Sequence, residues 1–211
     1  MIIAVDGPAA SGKGTISKGL AELYNLPHLD TGLLYRAVGY AMLDKLEDDN
    51  FENLAIDTAK TINLKNLDAE LLGTPEVAYA ASKVAKIENV RSALRQFQID
   101  FAKQKTGAIL DGRDIGTKIC PNADVKFYIT ATPQIRAKRR TLQLLEKGLD
   151  VKESDILAQI IARDESDKTN PAGNFYKSQN AHLLDSSLLD IEGALRKAKT
   201  IVDEVMARQA G

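Results

Sequence analysis

Ten residues near the N-terminus, Asp6-Gly7-Pro8-Ala9-Ala10-Ser11-Gly12-Lys13-Gly14-Thr15, leave few architectures open. They follow a short apolar run, Ile2-Ile3-Ala4-Val5, and precede a segment of helical pattern that starts at Gly14. A strand, a glycine-rich turn and a helix start, in that order, build a phosphate cradle. Backbone N–H groups close around an anion and the helix N-terminus adds partial positive charge. Lys13 can reach terminal phosphates, and the Thr15 hydroxyl can hold Mg²⁺. The segment therefore predicts nucleoside triphosphate binding by Gly7, Pro8, Ala9, Ala10, Ser11, Gly12, Lys13, Gly14 and Thr15. The strict pattern places the hydroxyl directly after the lysine. Here Gly14 intervenes, a form common in kinases of small molecules.

The remainder of the chain fits an α/β protein. Short β-like runs at residues 1–5, 27–29, 107–110, 125–129 and 182–184 alternate with helical patterns at 14–24, 32–46, 75–104, 133–146, 153–165 and 190–209. Buried strands alternating with helices predict a five-stranded parallel sheet flanked by helices, with right-handed crossovers. In such sheets ligands bind beyond the carboxyl ends of the strands. Gly7, Asp30, Asp111 and Thr130 follow the first four strands there. Residues 47–105 and 148–170 interrupt the alternation, although residues 62–64 could add a short strand. Both stretches leave from the binding edge, where long excursions serve as clamps or lids.

Charge narrows the ligand class. With 28 Lys and Arg against 29 Asp and Glu, the net charge is -1. That balance gives no bulk attraction for nucleic acid or an anionic membrane, so neither is expected as a partner. No apolar run approaches the ~20 residues of a membrane span, and no signal-peptide pattern opens the chain. Cys120 is the only cysteine, which fits a reducing cytoplasm and predicts a small buried side chain. His28 and His182 stand isolated and are expected to be structural, and zinc is not expected.

Arginines at the strand ends point to a second anion site. Arg36 lies in Asp30-Thr31-Gly32-Leu33-Leu34-Tyr35-Arg36, Arg91 on the long helical stretch, and Arg113 in Asp111-Gly112-Arg113-Asp114. An acceptor that already carries a phosphate needs such forked, permanently charged donors. Arg136, Arg139 and Arg140 share one helix face by their spacing, and Arg163 follows one helix later. Arginines on a closing lid suit charge neutralisation during phosphoryl transfer. Asp111 ends an apolar strand where a carboxylate orients Mg²⁺, often through water. Asp30 holds the matching place and reads equally as a helix N-cap.

Together these segments resemble the bacterial cytidylate kinase family. The resemblance rests on residues 7–15, 29–36 (Leu-Asp-Thr-Gly-Leu-Leu-Tyr-Arg), 80–85 (Ala-Ala-Ser-Lys-Val-Ala), 90–91, 111–117 (Asp-Gly-Arg-Asp-Ile-Gly-Thr) and 142–148, in order over almost the whole chain. It implies the P-loop nucleoside monophosphate kinase fold: a core of residues 1–46, 106–147 and 171–211, a monophosphate-binding insert at about 47–105 and a lid at about 148–170. It implies transfer of the γ-phosphoryl of ATP to CMP or dCMP with Mg²⁺, by a monomer. By the same resemblance Lys13, Arg139 and Arg163 are catalytic, and Arg139 also meets the donor phosphates. Thr31, Tyr35, Arg36, Ser82, Arg91, Arg113, Asp114, Arg163 and Asp167 line the acceptor site, and Thr15 and Asp111 serve the metal.

Three places depart from the family's pattern. Asn170 stands where an arginine is expected, residues 168–178 are unlike the usual Ala-Pro-Leu-type sequence, and Gly73 sits where a basic residue belongs. The missing contact could come from Lys168 or Lys177. The insert is also short, which predicts loss of part of a small antiparallel sheet. The rival readings are a kinase of UMP, AMP or a shikimate-like acceptor, and a catalytically silent nucleotide-binding module. A switch GTPase does not fit, since no Asn-Lys-x-Asp motif is present.

Overall fold

The first strand, β1 (Ile2–Asp6), runs straight into the glycine-rich turn and carries one residue more than its apolar pattern suggests. The reason is Asp6. Its carboxylate accepts from the backbone N–H groups of Ile115 and Gly116, both at 2.8 Å, and so pins a π-helical turn at Ile115–Ile119 to the end of the strand. The computed structural model describes residues 1–63, 68, 70–170, 172 and 175–210.

The strands β1, β2 (His28–Asp30), β3 (Ala108–Gly112), β4 (Val125–Thr130) and β5 (His182–Asp185) form one parallel sheet in the order β2-β3-β1-β4-β5. Ala4 is level with Leu110 on one side and Lys126 on the other, and Leu29 is level with Leu110. The chain goes from β1 to an edge strand and later returns past β1 to β4. The crevice at that reversal lies beyond the carboxyl ends of the strands, where the glycine loop sits.

The helices are α1 (Lys13–Tyr24), α2 (Thr31–Ala41), α3 (Phe51–Thr61), α4 (Pro75–Val84), α5 (Glu88–Ala102), α6 (Pro133–Glu146), α7 (Glu153–Lys168) and α8 (Ile191–Ala210). On one face of the sheet, Ile3, Val5, Ile109, Phe127 and Ile129 pack against Leu20 of α1 and Ala198 and Val202 of α8. On the other, Ala4 and Leu110 meet Ala102, Ile115 and Cys120. Cys120 is buried, as expected of a small apolar side chain.

Two expected helices divide. The pattern over residues 32–46 ends its α-helix at Ala41, because Met42 leaves helical geometry (φ −108°, ψ 4°) to bury its side chain completely beside Leu34 and Val38. The pattern over 75–104 breaks at 85–87, where Ile87 is extended (φ −86°, ψ 113°). The break lets α5 fold back against α3, so Ala55, Ala59, Val84, Val90 and Leu94 close one apolar cluster with α2. Among the described residues, 47–105 contain no strand. The expected strand at 62–64 runs into residues outside those described. No helix among the described residues is long and apolar enough to cross a membrane.

Candidate active site

The glycine loop takes its shape from close backbone approaches. A Cβ on Gly7 would lie 2.0 Å from the Ile129 carbonyl oxygen of β4, so only glycine lets the chain turn there. Ala10 adopts a left-handed conformation (φ 57°), uncommon for a residue with a Cβ. Gly12 (φ 85°) caps α1 without a side-chain bond, leaving the first N–H groups of the helix for an anion. The Lys13 ammonium lies 3.5 Å from the Pro8 carbonyl oxygen. Desolvation, then the neighbouring Arg113, lowers it to about 8 despite Asp111 and Asp30 nearby.

Beside this loop is a cavity of about 200 Å³. Its walls bring together Ala9, Ala10, Lys13, Thr31, Tyr35, Arg36, Ser82, Arg91, Arg113, Asp114, Arg163 and Asp167. Every residue expected at the acceptor site is therefore here, delivered by α1, α2, α4, α5, α7 and the turn after β3. A second cavity of about 240 Å³ adjoins it, between Gly7-Pro8, the end of β4 and α7, with Arg113, Asp167 and Phe175 lining both.

Positive charge gathers at the loop end of the cavity. Arg36 donates to the Leu72 carbonyl at 2.7 Å. Arg113 Nε donates to Asp167 at 2.8 Å, and Arg163 Nε lies 3.6 Å from the same carboxylate. Burial lowers the guanidinium of Arg36 below its ordinary value, and Arg140, Arg163 and Arg113 lower it further. Burial, then Arg113, does the same to Arg163. Arg163 Nε is buried without a hydrogen-bond partner among the described residues. Like charges collected out of water raise one another's energy, and an anionic ligand is what relieves them.

The opposite end has mixed polarity. Arg91 is 5% exposed and paired with Asp114, itself 7% exposed. The pair presents a forked donor beside a carboxylate acceptor. The Arg91 guanidinium also contacts two rings, 5.3 Å from the Tyr35 centroid and 5.2 Å from that of Phe175.

The three arginines expected on one face of α6 go separate ways. Arg136 is 3% exposed and donates to the carbonyls of Ala131 and Ala9 and to both oxygens of Asp164, so it ties α7 to the glycine loop. Arg139 does not line the cavity. It donates to the hydroxyl and carbonyl of Ser186 and to the Leu189 carbonyl, at 3.0, 2.7 and 3.3 Å. Arg140 reaches the Gly73 carbonyl at 3.5 Å, so a cation from α6 stands next to the glycine that replaces an expected basic residue. Neither lysine proposed to replace the missing arginine at 170 reaches the first cavity. Lys168 pairs with Glu165 at 3.7 Å, and Lys177 donates to backbone carbonyls of Ser178 and Ala181.

Asp30 caps α2, accepting from Gly32 N at 2.9 Å. Burial and then Asp111 raise its carboxyl above the usual range. His28 is not isolated, as its sequence context suggested. Its Nε2 is 2.7 Å from Asp111 Oδ2. The contact was within reach of a strand argument, since His28 and Asp30 are two apart and share a face. Phe175 carried no signal at all, because it lies in an irregular stretch. For a metal, the donor set is the exposed Thr15 hydroxyl and the buried Asp111 carboxylate. Among the described residues no group of three or more His, Cys, Asp or Glu gathers as a cage. Few protein oxygens beside a phosphate cradle fit a hydrated hard cation such as Mg²⁺ that arrives with its nucleotide.

Comparison with known proteins agrees with this geometry. A sequence profile of the family described as cytidylate kinase matches residues 3–204. The chain is 50% identical over 207 residues to a cytidylate kinase of Bradyrhizobium sp. (strain ORS 278), covering 98% of each. It is 49% identical over 213 residues to a cytidylate kinase of Xanthobacter autotrophicus, covering 100% of both. The crystal structure of an uncharacterized protein from Eubacterium ventriosum has the same fold, with a TM-score of 0.54 at 16% identity over 97% of this chain and 98% of that one. A phosphate cradle, a cluster of partly buried arginines and a full-length match thus lead to one conclusion: the chain belongs to the cytidylate kinase family.

Proposed function

We propose that this protein transfers the γ-phosphoryl of ATP to CMP or dCMP, giving ADP and CDP or dCDP. The observation that carries the reading is the polarity of the 200 Å³ cavity. Desolvated cations stand at its loop end, and the Arg91–Asp114 pair stands at the other. A nucleoside monophosphate has that same order of charge, with a dianion at one end and a hydrogen-bonding base at the other.

The base assignment follows from donor and acceptor chemistry. Cytosine carries an exocyclic amino donor beside the N3 and O2 acceptors. Asp114 accepts from the amino group, and Arg91 donates to the acceptors. Uracil reverses the polarity at N3 and C4, which leaves buried groups unpaired and is strongly disfavoured. Ser82 lines the same wall.

In the reaction, residues 7–15 hold the ATP phosphates and Arg36, Arg113 and Arg163 hold the acceptor phosphate. An acceptor oxygen attacks the γ-phosphorus, and the bond to the β,γ-bridging oxygen breaks as ADP takes the electron pair. The acceptor oxygen is already anionic, so no general base is needed. Lys13 and Arg163 stabilise the charge that develops. Arg139, held on Ser186 and Leu189, serves the donor nucleotide. Mg²⁺, held by Thr15 and through water by Asp111, would neutralise β- and γ-phosphate charge. The insert at 47–105 and the lid at 148–170 close the site and exclude water. A single cysteine with its thiol buried suits a reducing cytoplasm, and the protein is proposed to act as a monomer.

The test is ADP release at fixed ATP with CMP, dCMP, UMP and AMP in parallel. CMP and dCMP should exceed UMP and AMP in kcat/KM by at least about a hundredfold. Comparable turnover of UMP would overturn the base assignment. ATP binding without ADP release from any acceptor would favour the silent module.

A further inference from the structure

The reading of the acceptor site leaves one of its walls unassigned. Arg91 enters from α5 with its guanidinium over the rings of Tyr35 and Phe175. Its terminal nitrogens bond Asp114 and the Ala85 carbonyl, and its Nε is buried with no hydrogen-bond partner among the described residues. Tyr35, Arg91, Asp114 and Phe175 line one cavity, so a planar base that pairs with the Arg91–Asp114 edge comes beside both rings.

We propose that Phe175 is the second aromatic wall of the slot that takes the acceptor base, a substrate-positioning contact that rests on the nucleotide reading given above. Phe175 and its described neighbours Asn170 and Ala172 are held at several points. Phe175 N donates to the Asp167 carbonyl at 3.4 Å, and the Asp167 carboxylate holds Arg113. Asn170 Oδ1 accepts from Ala172 N at 2.8 Å, and Lys118 donates to the Ala172 carbonyl at 2.7 Å. Asn170, 5% exposed, thus supplies no charge in place of the missing arginine. It accepts from Ala172 N instead. In this chain Phe175 contributes a ring over the base.

Base–aromatic stacking depends on a π-face, so the test separates a ring from mere apolar bulk. Equilibrium titration of CMP, dCMP, UMP and AMP against the unsubstituted chain comes first and identifies the monophosphate it binds best. A failure of the cytosine reading shows there. The same monophosphate is then titrated against Phe175→Ala, Phe175→Leu, Phe175→Tyr and Phe175→Trp. The Ala and Leu variants should bind it about tenfold more weakly or worse, and the Tyr and Trp variants within about threefold of the parent. Ribose 5-phosphate, which has no base, should inhibit all five proteins equally. Parent-like binding by Phe175→Leu overturns the proposal. So does a loss of ribose 5-phosphate affinity that keeps step with the loss of nucleotide, since that would mark a disturbed site and not a missing wall.

Discussion

His28 on the edge strand β2 holds Asp111 on β3, with Nε2 2.7 Å from Oδ2 and both side chains largely out of solvent. The bond fixes one oxygen of a carboxylate near the carboxyl end of β3, the position from which a metal-bound water would be oriented. His28→Leu removes the side-chain partner that this oxygen has among the described residues and leaves a buried carboxylate short of a bond. The expected loss is about 1–3 kcal/mol of stability. His28→Gln, whose amide nitrogen can reach a similar point, should recover most of it. Urea denaturation of the two variants checks the order, and equal loss in both would show that the ring's packing matters and the bond does not.

Lys13 is the cation closest to the glycine loop that also lines the acceptor cavity. Lys13→Met keeps the stem and removes the charge. Turnover should fall at least about a hundredfold, the scale seen when a positioned charge stabiliser is lost, while CMP affinity changes by less than about threefold. A coupled ADP assay and a CMP titration measure the two, and near-full turnover would exclude the role given to Lys13.

Asp6 makes the protein's stability depend on acid pH. Burial pushes its carboxyl up to about 6, and Asp114 adds to the rise, against the Ile115 and Gly116 N–H groups and Arg113. The unfolded chain holds the ordinary value of 3.8. The folded state therefore binds the extra proton between these values. The stabilisation is complete below about pH 4 and is lost as pH rises through about 6. Asp6→Asn cannot ionise, so the melting temperature of the parent minus that of the variant should decline from pH 4 to pH 6.5. Parallel profiles would contradict this.

Gly39 lets α2 and α4 touch. A Cβ there would lie 2.5 Å from the Ala81 backbone nitrogen, which cannot yield as a flexible side chain could. Gly39→Ala should therefore destabilise the protein by about 1–3 kcal/mol, the cost of overpacking a tight contact, although alanine favours helix. Because Ser82 follows Ala81 on α4, CMP binding should weaken as well. Thermal melts with and without CMP test both effects.

The β1–glycine loop–α1 unit, the parallel sheet and the burial of Cys120 were all readable from residue order. Each depends on local pattern: apolar runs of strand length, glycines where a turn is forced, and a helical repeat after Lys13. Thr31, Tyr35, Arg36, Arg113 and Asp114 were readable as well, since they stand just after strands that a parallel sheet brings to one edge, whereas Ser82 and Asp167, on α4 and α7, were named only through the family resemblance. Spacing misled where a side chain had a stronger partner than its neighbours in sequence. Arg136, Arg139 and Arg140 share a helix repeat, yet Asp164, Ser186 and Gly73 draw them to three different elements. Helix 75–104 broke because burying Val84 and Leu94 in one cluster requires a turn between them. His28 met Asp111, and Phe175 met Arg91, across 83 and 84 residues of chain. Sequence order alone determined the sheet, the phosphate loop and the edge where ligands bind. Which charges pair, and which ring covers Arg91, was decided only when distant segments packed, because ion pairing and stacking depend on distance in space and leave no periodic trace along the chain.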